Sequence, residues 1–126
     1  MDGRVFWITG LSGAGKTTVG KILYERLKKC RDNIVFLDGD ILREIFGNDL
    51  GYTCEERHKS ALRNAKICRL LSAQGIHVVC CTISMFKDVR KWNRDQNTNY
   101  TEIYLKVPIE VLHQRNQKNL YAACAQ

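Results

Sequence analysis

One proline, two methionines and no low-complexity stretch in 126 residues leave no room for a proline-rich linker, and no internal repeat shows. Long hydrophobic runs are missing as well. The longest, such as "IHVVCCTI", have the length of a strand, whereas a bilayer takes about 20 apolar residues in a row. The opening "MDGRVFW" has neither the apolar stretch nor the small-residue cleavage site of a secretory signal. No membrane partner is expected, and the cytoplasm is the expected location. Six cysteines (Cys30, Cys54, Cys68, Cys80, Cys81, Cys124) form no C-x-x-C pair and no metal-ligand spacing with the three histidines. They read as reduced thiols, several of them small core residues.

What is present describes a globular chain. A hydrophobic content of 44% over residues 1–126 fits a single domain, large enough to bury a core and too short for two. Lysine and arginine number 20 against 13 acids, a net charge of +7 that raises the question of nucleic acid. No recognition-helix or RNA-binding motif accompanies it. Anion sites in a cleft and solvated helix faces account for the charge, so no nucleic-acid partner is expected.

Strand and helix patterns alternate along the chain. "RVFWIT" reads as a strand and "KTTVGKILYERLKK" as a helix. A second strand over 34–37 ends in Asp38, Gly39 and Asp40, and a short amphipathic piece "ILREIFG" follows. A long helix is expected over about 54–74, with Gly75 as its stop and Ala61, Ala65, Cys68 and Ser72 as a small-residue stripe against a sheet, broadened by Leu62 and Leu71. Next come a buried strand over 76–83, a helix in "MFKDVRKWNRDQN", a strand in "TEIYLKV" and a helix opened by Pro108. Cys80 and Cys81, neighbours in one strand, should face opposite sides of the sheet. The alternation implies an α/β fold: a parallel sheet flanked by helices in three layers, with ligands at the carboxyl ends of the strands.

The run "ITGLSGAGKTTVG" matches G-x-x-x-x-G-K-[ST] at Gly10, Gly15, Lys16 and Thr17, between a strand and a helix as that motif requires. Its loop, Gly10, Leu11, Ser12, Gly13, Ala14 and Gly15, can turn backbone N–H groups inward. The helix dipole at Lys16, Thr17 and Thr18 completes a nest for the phosphates of ATP. Lys16 would reach the β- and γ-phosphates, and the Thr17 hydroxyl stands where a Mg²⁺ ligand belongs. Asp38 and Asp40, ending the next strand, could orient the metal or accept a proton from an attacking hydroxyl. The plainer reading makes Asp40 the N-cap of "ILREIF" and Asp38 a turn residue. Arg43, Arg57 and Arg63 offer guanidinium groups for phosphate or sulfate oxygens, although Arg63 shares a polar helix face with Lys59 and Lys66.

These motifs, together with "FLDGDILR", "LGYTCEER", "AQGIHVV", "TISMF", "VPIEVLHQR" and "KNLY", give the chain a resemblance to the adenylylsulfate kinase (APS kinase) family, a P-loop NTPase fold, over nearly its whole length. The resemblance implies transfer of the γ-phosphoryl group of ATP to the 3′-hydroxyl of adenosine 5′-phosphosulfate with Mg²⁺. Lys16, Asp38, Asp40 and Ser84 become the catalytic positions, and Thr17 and Asp38 the metal side. Arg43 and Arg57 would hold the phosphosulfate and Tyr52 would stack on the base, with Ser60, Ile83, Ser84, Phe86, Lys118 and Leu120 completing the acceptor side. Ser84 matches the serine of the family's I-S-P-F stretch, described as a phosphoserine; direct in-line transfer needs no such intermediate.

The chain departs from the pattern at Ser60, where the family has asparagine, at Met85, where it has proline, and in "RNQKNLY". It stops at Gln126, short of the family's lid and last strand, which predicts a poorly covered adenine. The substitutions, with the segments "TISMF" and "NYTEIYL", are similar to the capsule-associated branch of APS-kinase-like proteins, which implies a cytidine nucleotide as the alternative acceptor. A lid-less module that binds nucleotide without turnover is a further alternative. Small-molecule nucleotides are the expected partners, with a homodimer compatible with them.

Overall fold

The structure, a computed structural model, describes residues 1–10, 15–84 and 86–106. The described residues form four strands and four helices, with two helices in succession between the second and third strands: β1 (Arg4–Thr9), α1 (Lys16–Lys28), β2 (Ile34–Asp38), α2 (Gly39–Ile45), α3 (Cys54–Ser72), β3 (His77–Thr82), α4 (Lys87–Gln96) and β4 (Asn99–Tyr104). The strands pair in parallel in the order β2-β3-β1-β4. The chain thus leaves β1 for β2, returns to place β3 between them, and crosses to β4 on the far side. Loops that diverge at one end of such a sheet leave a crevice between β1 and β3.

Strand alternation divides the core. On one face Trp7 and Val5 of β1 and Val78 and Cys80 of β3 pack with Ala61, Ala65 and Cys68 of α3 and Val89 of α4. On the other, Ile8, Ile34, Val79 and Cys81 pack against Leu23, Tyr24 and Leu27 of α1. The α/β three-layer expectation therefore holds, and so does the split of Cys80 from Cys81. The small stripe of α3 is buried throughout, Ser72 included, because only small side chains let the helix lie this close to β1 and β3. Cys30 and Cys54 are exposed and Cys68, Cys80 and Cys81 buried, all five as free thiols. The Cys68 thiol beside it, together with burial, pushes the Cys80 thiol well above its ordinary range.

Element ends differ from the sequence expectation by a few residues. The second strand runs on to Asp38 and its helix starts at Gly39, because the Asp38 carboxylate accepts a 2.8 Å hydrogen bond from the Asp40 N–H and caps the helix. The cap is Asp38, not Asp40. α3 ends at Ser72, with Gly75 left-handed (φ 84) just beyond it and its N–H bonded to the Ser72 carbonyl. β4 starts at Asn99, two residues earlier than expected, and α4 at Lys87. The helix opened by Pro108 lies outside the described residues.

At Gly20, α1 lies too close to the sheet for a side chain. A Cβ there would stand 2.3 Å from Cys81 Sγ and 3.0 Å from a Phe36 ring carbon. Gly20→Ala is expected to destabilise the fold by about 1–3 kcal/mol through overpacking. Adding Cys81→Ala should recover most of that loss in chemical denaturation; an equally unstable double variant would mean that the contact is not the cause.

Candidate active site

α1 starts without a side-chain cap and without an acidic residue in its first turn. Gly15 precedes it in the left-handed conformation (φ 92), which an L side chain rarely adopts. A helix so begun directs its first N–H groups and the positive end of its dipole at whatever lies before it. Gly10 is buried at the end of β1, while Leu11, Ser12, Gly13 and Ala14 lie outside the described residues.

A cleft of about 430 Å³ opens at this helix start, at the carboxyl ends of β2 and β3. Gly15, Lys16, Thr17 and Thr18 form one wall, Asp38, Gly39 and Asp40 the next. Ile83, Ser84 and Phe86, beyond β3, lie across from Arg43 of α2 and Arg57 and Ser60 of α3. The sequence motifs, scattered over 70 positions of chain between Gly15 and Ser84, thus converge on one space because every strand points the same way. β1 and β2 are not neighbours, since β3 lies between them. Even so, the Thr17 hydroxyl donates to Asp38 Oδ2 at 3.0 Å, joining the helix after β1 to the end of β2. Both Asp38 oxygens are then engaged, Oδ1 by the cap and Oδ2 by Thr17.

Two arginines behave differently. Arg43 is 8% exposed and donates from one terminal nitrogen to the Leu50 and Gly51 carbonyls at 2.5 and 3.0 Å, with its guanidinium 4.4 Å from the Tyr52 ring centre. Tyr52 is exposed beside that stack and does not line the cleft. Arg57, by contrast, carries a buried terminal nitrogen with no hydrogen-bond partner. Ser84 Oγ and Arg43 Nε are unpartnered in the same way. Such atoms are costly to bury unless a ligand completes them. The Ser84 backbone is held from both sides: its N–H donates to Thr82 Oγ1 at 3.2 Å and its carbonyl accepts from the Thr9 hydroxyl. Lys118 and Leu120 lie outside the described residues.

Sequence reasoning did not single out Asn64, Thr82 or the capping box of α3, although "TCEE" carries the spacing of one. Thr53 Oγ1 accepts from the Glu56 N–H at 3.1 Å, and Glu56 accepts from Thr53 Oγ1 at 2.9 Å and from the Gly51 N–H at 2.7 Å. Arg63 stays outside the cleft: it pairs with Asp49 at 2.9 Å and stacks on Phe46 with 3.9 Å to the ring centre. Hydrogen bonding from Arg63 holds the Asp49 carboxyl below the usual range. Segment 46–53, which carries Tyr52, is therefore fastened by Arg43, Arg63 and Glu56.

The strand, glycine turn, helix and acid-lined cleft define the class, a nucleotide kinase of the P-loop fold. The family profile described as adenylylsulphate kinase matches residues 2–126. A cytidine diphosphoramidate kinase of Campylobacter jejuni is 47% identical over 117 residues, 93% of this chain and 68% of that protein. An adenylyl-sulfate kinase of Halothermothrix orenii is 39% identical over 120 residues, 95% and 65% of the two. The APS kinase of Mycobacterium tuberculosis in complex with AMPPNP and APS superposes with a TM-score of 0.81 at 31% identity, covering 96% of this chain and 72% of that one. The chain belongs to the adenylylsulphate kinase family, and it spans about two thirds of the length of these curated relatives. No described helix is long and apolar enough to cross a membrane.

The Gly51 N–H and the Thr53 hydroxyl hold Glu56 below its ordinary value of 4.5. A carboxylate with a depressed folded value contributes stability that is present above the unfolded value and is lost as pH falls through the folded one. Glu56→Gln should therefore be less stable than the parent at pH 7, with the gap closing as pH falls below that ordinary value. Thermal midpoints across pH 3–7 check this, and a gap independent of pH would remove the charge from the explanation.

Proposed function

We propose that this chain transfers the γ-phosphoryl group of ATP to a sugar hydroxyl of a second, acidic nucleotide, with Mg²⁺ as cofactor. The observation that carries this reading is the Thr17–Asp38 hydrogen bond, which brings the phosphate-loop helix and the acidic pair to one point of the cleft. A hydroxyl and a carboxylate at that point are hard oxygen donors, and among the described residues no group of three histidines, cysteines or acids competes with them for an ion. That fits Mg²⁺, which uses one or two protein oxygens and fills its shell with phosphate and water. Thr17 and Asp38 would hold it, and it would supply charge neutralisation at the phosphate oxygens.

The protein's own groups do the rest by position and charge. Lys16 and the start of α1 draw the β- and γ-phosphate oxygens. Asp38, fixed at both oxygens, orients; Asp40, in the first turn of α2, accepts the proton of the attacking hydroxyl. The new bond joins that hydroxyl oxygen to the γ-phosphorus as the bond to the β-phosphate oxygen breaks, with its electron pair leaving on ADP. Arg57 and Arg43 receive the anionic 5′ group of the acceptor, and the exposed part of the Tyr52 ring offers a surface for its base. Ser84 hydrogen-bonds within the cleft and carries no covalent phosphate in this scheme.

For the acceptor, the 47% identity to the C. jejuni enzyme supports a cytidine diphosphoramidate-type nucleotide. Adenosine 5′-phosphosulfate is the second reading, supported by the family itself and by the likeness to the APS-bound M. tuberculosis structure. Both acceptors bring a sugar hydroxyl for the acids and an anion for the arginines.

ADP release with Mg·ATP and each acceptor in parallel is the test. Lys16→Ala is expected to lower turnover at least about a hundredfold with an unchanged thermal midpoint. Ser84→Ala is expected to keep most of it. Normal turnover in Lys16→Ala would end the kinase reading, and ATP binding without turnover of either acceptor would leave a binding module. Asp38→Asn should raise the Mg²⁺ concentration needed for half-maximal rate, whereas Asp40→Asn should lower kcat by about 10²-fold at an unchanged Mg²⁺ requirement. Identical Mg²⁺ titrations in both variants would show that the two acids do not divide the work.

A further inference from the structure

Arg57, Ser60 and Asn64 lie at helical spacing on one stripe of α3, and all three line the cleft. Asn64 is 2% exposed, and its Oδ1 is enclosed without a hydrogen-bond partner. Its Nδ2 lies 3.8 Å from where a Cβ on Gly39 would stand, so the carboxamide abuts the turn between Asp38 and Asp40. Packing does not call for an amide here. Its helix neighbours Ala61, Ala65 and Cys68 are small core side chains, and a buried amide left unpaired destabilises the free protein. The expected partner is therefore a ligand atom.

The position narrows its chemistry. At the Arg57 end of the stripe an anion is suited; at the Asn64 end, beside two acids, an anion is not. An uncharged carboxamide matches a hydroxyl, which can donate to Oδ1 and accept from Nδ2. We infer that Asn64 binds the sugar hydroxyl next to the one that is phosphorylated, so that the site takes a vicinal diol and selects ribonucleotides over 2′-deoxyribonucleotides. The acidic pair handles one hydroxyl and Asn64 the other. The inference rests on the kinase reading above and is independent of which base the acceptor carries. A site built to pair a substrate hydroxyl discriminates strongly against the analogue without it, because its own buried group is then left unpaired.

The test is calorimetric titration of the protein saturated with Mg·ADP, using cytidine diphosphate, 2′-deoxycytidine diphosphate, AMP and 2′-deoxy-AMP. The ribonucleotide of the accepted base is expected to bind at least tenfold tighter than its deoxy form. In Asn64→Leu, close to isosteric, the ribonucleotide should weaken to the deoxy level while the deoxy form changes less than twofold. The thermal midpoint of that variant should not fall, since an unpaired amide is replaced by an apolar group. An unchanged ribo/deoxy ratio in Asn64→Leu overturns the inference, as does equal weakening of both forms, which marks a structural role. If neither ribonucleotide binds while Mg·ADP does, the inference fails with the acceptor assignment and the phosphate-loop reading stands. Absence of Mg·ADP binding sinks the kinase reading itself.

Discussion

The Asp38 carboxylate is the joint on which this site depends. One oxygen closes the start of α2 and the other receives the Thr17 hydroxyl from the first turn of α1. A single side chain thereby couples the phosphate-loop helix to the second strand and to the helix that carries Arg43. Neither contact is strong in water, and the carboxylate is partly solvated. Its value is geometric: two hydrogen bonds from opposite directions leave the group one orientation, which is what a site working by positioning requires.

Around that joint the fold separates rigid from adjustable parts. β1 and β3 are buried along most of their lengths, with Thr9 and Thr82 fully or nearly buried at their ends, and Cys81 and Thr82 of β3 line the cleft. Segment 46–53 has little apolar contact and is held by charge instead. Arg43 takes its carbonyls, Arg63 its Asp49 carboxylate and Phe46 ring, and Glu56 its Gly51 N–H. Three charged side chains rooted in α2 and α3 thus place Tyr52 at the rim. Electrostatic fastening of this kind allows a surface segment to be ordered without being buried. On α4, the basic face is balanced internally as well: Arg90 and Arg94 lie 3.9 and 3.5 Å from Glu102 of β4, and Lys91 pairs with Asp95 at 2.7 Å.

The strand and helix sequence was legible because local periodicity reports it. Alternation in "TEIYLKV", continuous apolar runs in "RVFWIT" and "HVVCC" and a small-residue stripe in α3 each name an element without reference to the rest of the chain. The boundary at Asp38 was less legible. The same two acids fit a cap, a turn or a metal site, and only the 2.8 Å contact to the Asp40 N–H assigns the cap to Asp38. The contribution of Asn64 was not legible at all. An asparagine inside a helix next to Arg63 reads as surface, and its burial depends on how closely α3 lies against β3 and the turn at Gly39.

By itself, then, the sequence singled out the candidates for the phosphate loop, the acidic pair and the arginine set, since motif spacing and periodicity are properties of contiguous chain. The tertiary structure decided how these sets meet. The strand order placed β3 between β1 and β2, yet Thr17 and Asp38 touch across it because α1 packs over β3 and β2. It also gave Arg43 to the loop carbonyls, left Arg57 and Asn64, which line the cleft, with buried unpartnered atoms, and kept Arg63 outside. Those outcomes turn on distances between residues far apart in the chain. Such distances arise only when non-local packing closes.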